Sequence, residues 1–150
     1  AEQLALEIYG EHGRPGSVRT EMHRLRTHLG SLLGERPYRI LGHIDCDLTA
    51  VESRVRQGQI EGAMHLYLGA PLAQTEVPRL VELRERINDG VRAAVLASAS
   101  PELMERWLRL PSGQDDYEVS RRLIGLLERD DPRRAAERSR LRRLVSDGTN

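Results

Sequence analysis

Apolar residues recur at helical spacing through most of the chain, and the pattern is sharpest over residues 17–33, SVRTEMHRLRTHLGSLL. At 100° per residue Val18, Met22, Leu25 and Leu29 share one narrow stripe, the arrangement that buries one side of a helix. The opposite side carries Thr20, His23, Arg24 and Thr27, flanked by Arg19 and Arg26. Ser17 stands where an N-cap hydroxyl accepts from the first helical turn. Before it, Ala1, Leu4, Ala5 and Ile8 predict a short helix stopped by Gly10, and Gly13, Pro15 and Gly16 a turn-rich connection. After it, Gly34 and Pro37 bracket a tight turn, and residues 38–41, YRIL, predict a short strand.

From Leu48 onward the periodicity is helical throughout. Leu48, Val51 and Val55 form one stripe ending at Gly58, and Ile60, Ala63, Met64 and Tyr67 another ending at Gly69 and Pro71. The longest pattern covers residues 76–98, with Leu80, Leu83, Ile87, Val91 and Ala94 on one side. Gly90 costs that helix about 1 kcal/mol relative to Ala. Leu103, Met104, Trp107 and Leu108 predict the next helix, closed by Pro111, Ser112 and Gly113, with Trp107 as an anchor between helices. Tyr117, Leu123, Ile124 and Leu127 predict another, and Asp115 and Asp116 sit at its start, where the helix dipole favours negative charge. The last runs from Pro132, a good first helical residue, to about Ser146. Paired short helices suggest tetratricopeptide-like packing, but no 34-residue repeat is present.

Composition narrows the function. The 150 residues hold 23 basic and 23 acidic side chains, all the basic ones arginine, with one cysteine and no phenylalanine. The lone Cys46 excludes an internal disulfide and agrees with a reducing cytoplasm. No run approaches a membrane span. Zero net charge conceals two basic ends around an acidic middle. Residues 14–39 hold six arginines against two carboxylates, and residues 131–145 again six against two. Local field decides where a polyanion docks, not the total.

Sites for chemistry are sparse. In an extended strand His43, Asp45 and Asp47 share a face, a possible metal set, but no second cluster supplies further ligands. Asp47 serves equally as a helix cap, or Thr49 with Glu52 as a capping box. There is no glycine-rich phosphate loop, CxxC or HExxH, and no histidine lies in a nucleophile setting. Neither an enzyme nor a cofactor or metal protein is expected.

The order helix, turn, basic helix, short strand is that of a winged helix-turn-helix. SVRTEMHRLRTHLG followed by RPYRIL at residues 36–41 resembles the recognition helix and wing of OmpR-type winged-helix domains. IDCDLTAVE at residues 44–52 and LYLGAPL at residues 66–72 are similar to the helical activation domain of Streptomyces antibiotic regulatory proteins. Overall the chain resembles the C-terminal region of actinobacterial transcriptional regulators that carry a GAF sensor domain upstream. Pro37 stands where the usual wing has glycine, and the earlier helix of the fold would lie upstream of Ala1.

The resemblance implies a mainly α chain. Residues 1–46 form a partial winged helix-turn-helix with a β-hairpin wing, residues 47–146 an α-helical bundle of paired helices, and residues 147–150 a disordered tail. It further implies a cytoplasmic regulator that binds double-stranded DNA, with the 17–33 helix in the major groove. Arg19, Thr20, His23, Arg24 and Thr27 are then the groove contacts, and Arg14, Ser17, Arg26, Arg36 and Arg39 the phosphate and wing contacts. The helical part would contact RNA polymerase or form a homodimer. An arginine-rich helix face is also commonly just solvated, and the alternative is a helical protein-interaction module that binds no DNA.

Overall fold

A computed structural model describes residues 1–147. The chain is mainly helical, with one two-stranded antiparallel hairpin, and divides into two compact units. The first comprises Ala1–Cys46 and Leu72–Arg84, the second Asp47–Pro71 and the residues from Glu85 onward. Among the described residues no helix is long and apolar enough to cross a membrane.

In the first unit α1 spans Glu2–Tyr9 and α2 spans Pro15–Leu29, each followed by a short 3-10 turn. The expected 17–33 helix is displaced at both ends. Pro15, with its fixed φ, takes the first helical position, so α2 starts two residues early and the residue before it is Arg14, in extended conformation. Ser17 therefore lies inside the first turn rather than at the cap, its N–H donating to the Arg14 carbonyl at 3.0 Å. At the other end Gly30, at φ 55°, stops α2, a conformation glycine adopts without the Cβ penalty. Leu33–Glu35 then form β1, paired with β2, Tyr38–Ile40, in the register Leu33↔Ile40 and Glu35↔Tyr38. Gly34 is thus a strand residue opposite Arg39, not part of the turn.

Only Ala5, Val18 and Leu33 of Ala1–Cys46 are fully buried apolar residues. Leu25, expected on the buried stripe, is 41% exposed, because so short a segment has little surface to pack it against. In Leu72–Arg84, Arg84 donates to the carbonyls of Leu72, Ala73 and Thr75 at 3.0–3.2 Å and pins the loop that leads into α5, Pro78–Ser98.

The second unit is a helical bundle of α3 (Asp47–Arg56), α4 (Ile60–Leu66), the later turns of α5, α6 (Pro101–Leu108), α7 (Tyr117–Leu126) and α8 (Pro132–Asp147). Its core holds Val51, Met64, Ile87, Val91, Val95, Met104, Trp107, Val119 and Leu123. Val95 takes the core position expected for Ala94, and Val119 is buried while Tyr117 is 45% exposed. Tyr117 is the first residue after the α7 cap, where the helix has not yet turned inward. Glu52, the expected partner in a capping box, instead pairs with Arg86 at 3.0 Å. Of the expected tail, Asp147 ends α8 and residues 148–150 lie outside the described residues.

A polar knot crosses this core. Asp116 caps α7 by accepting from the Val119 N–H at 3.1 Å. The same carboxylate accepts from the Trp107 indole at 3.0 Å and from Arg92 at 2.6 and 2.9 Å. Arg92 also pairs with Glu118 at 2.8 Å. Tyr67 stacks on Trp107, ring centroids 6.0 Å apart, and its hydroxyl donates to Asn88 at 2.7 Å. Burial pushes the Asp116 pKa up, but Arg92, the Val119 N–H and the Trp107 indole outweigh it and hold the carboxyl below the usual range.

This packing leads to three predictions. A Cβ on Gly113 would lie 2.2 Å from the Trp107 carbonyl oxygen, so Gly113→Ala should cost about 2–3 kcal/mol in denaturant unfolding. At Gly90 the nearest atom to such a Cβ is Val55 Cγ1 at 4.0 Å, and Gly90→Ala should stabilise by about 1 kcal/mol. The depressed Asp116 pKa makes its stabilising contribution full above the unfolded value of about 4 and lost as pH falls through the lower folded value. Asp116→Asn should therefore cost about 2 kcal/mol at pH 7, and unfolding curves of the two proteins should begin to approach each other below pH ~4 and converge once pH is under the lowered folded value.

Candidate nucleic-acid interface

The first unit presents its basic residues from α2 and the hairpin. Arg19, Thr20, His23, Arg24 and Thr27 are all exposed on α2, as are Arg14 and Ser17 at its start and Arg36 and Arg39 on the hairpin. Val18 faces inward and fixes this orientation. Arg19, Met22 and His23 line an open groove of about 800 Å³ together with Arg36, Pro37 and Tyr38. The fold thus brings Arg19 and His23 together with Arg36, which lie 13 or more positions apart in the chain.

Arg26 sits differently from its neighbours. It forms an ion pair with Glu35 and donates to the Leu33 carbonyl at 3.1 Å, tying α2 to β1. Its guanidinium is committed to holding the hairpin, which an assignment by helix face alone does not reveal. The partners are nine and seven residues downstream, across the turn, and carry no local signal. Arg24 pairs with Glu21 at 3.0 Å, but both side chains are more than half exposed. Such a pair is worth about 0–1 kcal/mol and exchanges readily for a stronger anion. Arg14, Arg19, Arg36 and Arg39 stand outside every ion pair among the described residues.

The two threonines have spent their protons. Thr20 Oγ1 donates to the Gly16 carbonyl at 3.1 Å, and Thr27 Oγ1 to the Arg24 carbonyl at 2.6 Å. Each hydroxyl remains an acceptor toward a partner, suited to an amino group rather than a phosphate. The face is therefore electropositive and rich in guanidinium donors, with Glu21 and Glu35 already engaged by arginines. Chemically it can bind a polyanion.

The other sequence candidates do not line this groove. His43 Nε2 and Asp45 Oδ1 are 2.9 Å apart and almost fully exposed. Asp47 accepts from the Leu48 N–H at 2.9 Å at the start of α3. Among the described residues no three His, Cys, Asp or Glu side chains converge as a metal site would require.

Residues 100–147, which contain α6, α7 and α8, match the family model described as "YTH3-like protein, third C-terminal helical domain". The last three helices resemble a known helical domain. Over 117 residues the chain is 33% identical to an "Uncharacterized 47.3 kDa protein in thcA 5'region" of Rhodococcus erythropolis. The matched segment is 77% of this chain and 27% of that protein, so the chain spans about a quarter of its relative's length. No solved structure matches.

Proposed function

We propose that this chain is the DNA-binding and helical C-terminal part of an actinobacterial transcriptional regulator. Its role is binding, not catalysis, and it acts in the cytoplasm. In this reading α1, α2 and the hairpin are a winged helix-turn-helix, α2 enters the major groove, and the hairpin is the wing. The observation that carries it is the groove shared by Arg19 and His23 of α2 with Arg36 of the hairpin, on a face where Arg14, Arg24 and Arg39 are also exposed.

Arg24 is the base reader, since a guanidinium fork matches the guanine edge. Arg19, Thr20, His23 and Thr27 complete the groove contacts. Arg14, Ser17, Arg36 and Arg39 hold phosphates, and Arg26 positions the hairpin. The helical bundle contacts RNA polymerase or a second copy, and a GAF sensor domain elsewhere in the protein receives the effector. Resemblance to OmpR-type domains and to the helical domain of Streptomyces antibiotic regulatory proteins supports these roles.

A second reading is a helical protein-interaction module. The exposure of Leu6 (58%), Tyr9 (47%) and Leu25 in the first unit favours it, because protein interfaces need apolar area.

Selection of bound fragments from genomic DNA of the source organism supplies the probe. Arg24→Ala should weaken binding to the selected fragment by about 1–3 kcal/mol and relax its base preference. Arg36→Ala should weaken all duplexes alike and lower the salt slope by about one unit. If neither change alters DNA retention while a protein partner is still captured, the interaction-module reading replaces this one.

A further inference from the structure

The six arginines of α8 divide into two sets. Arg133 pairs with Asp131 and Glu105, Arg134 donates to the Leu127 carbonyl at 2.7 Å, and Arg140 donates to the carbonyls of Leu108 and Gln114. These three fasten the helix to the bundle. Arg138, Arg142 and Arg143 are exposed, and none pairs with a carboxylate of residues 1–146. The nearest polar partner of Arg142 is the Ser139 hydroxyl at 3.1 Å.

This outer row works against the helix that carries it. Arg138 and Arg142 stand at i, i+4 spacing with Arg143 beside them, where like charges repel. Glu137, the carboxylate that precedes Arg138, faces inward beside Arg140. Symmetric pairing of two α8 helices would set the arginines against each other and would not relieve the repulsion. A polyanion does. One helical turn separates Arg138 from Arg142 by about 6 Å along the axis, a spacing on the scale of successive phosphates on one strand. Leu141 and the 54% exposed Val145 are the large apolar side chains beside them, too little for the anchored centre of a protein interface.

We infer that the outer face of α8 is a second, sequence-independent contact for the phosphate backbone of double-stranded DNA. This rests on the DNA-binding reading of α2 and adds to it a site in the other unit. Guanidinium forks engage phosphate oxygens there without reading bases.

The test uses the full chain, a duplex carrying the selected site and a scrambled duplex, titrated by fluorescence anisotropy over a range of salt. The variant R138Q/R142Q/R143Q keeps good helix formers at exposed positions, and circular dichroism checks that it folds. It should weaken both duplexes by the same factor and flatten the plot of log affinity against log salt by about 2–3 units. R24A should weaken only the selected duplex. If the triple variant leaves the slope unchanged while R24A acts, the α8 contact is wrong and the α2 reading stands. If wild type binds neither duplex, both fall. If poly-glutamate binds wild type more tightly than DNA does and the triple variant loses it, the face belongs to an acidic protein and the inference is overturned.

Discussion

The second unit is organised by one carboxylate. Asp116 binds the Val119 N–H, the Trp107 indole and both ends of the Arg92 fork at once, so α5, α6 and α7 meet at a single group. A half-satisfied carboxylate in that place would cost more than an apolar residue, whereas a fully satisfied one fixes a unique arrangement of its neighbours. The Gly113 turn enforces the same geometry from the other side, because it brings its backbone against the Trp107 carbonyl. Tyr67, stacked on Trp107 and bonded to Asn88, extends the constraint to the end of α4 and to α5.

The first unit has no equivalent. Its few buried residues, Ala5, Val18 and Leu33, are too small to dominate, and the link between α2 and the hairpin is the Arg26 clamp on Glu35 and the Leu33 carbonyl. The consequence reaches the surface chemistry of the unit. One arginine is withdrawn to hold the hairpin, and the remaining basic residues are left exposed around a groove. A small domain with a free electropositive face suits a ligand that brings its own charge and shape.

Arginine therefore plays three parts in this chain, and residue type alone does not separate them. Arg92 satisfies a buried acid, Arg26, Arg84 and Arg140 clamp carbonyls, and Arg19, Arg36, Arg138 and Arg142 face solvent. The helical face of α2 was legible because a period of 3.6 places His23 and Arg24 opposite Val18, with Arg19 on the flank, whatever the rest of the fold does. The clamp on Glu35 was not, since it depends on a turn that reverses the chain. The α2 start was misplaced for a local reason: a proline at the first helical position outranked a serine at the cap.

Sequence by itself determined which segments are helices, that residues 38–40 are extended, and which side of α2 carries charge, because these follow from side-chain spacing and backbone preference within a few residues. Tertiary structure alone decided that Asp116 is a hub rather than only a cap, that Arg26 is a fastener, that Leu25 stays half in water, and that α8 splits its arginines between bundle and solvent. Each of these depends on groups distant in the chain arriving at one point. Hydrogen bonding and desolvation reward such meetings only once the packing has made them.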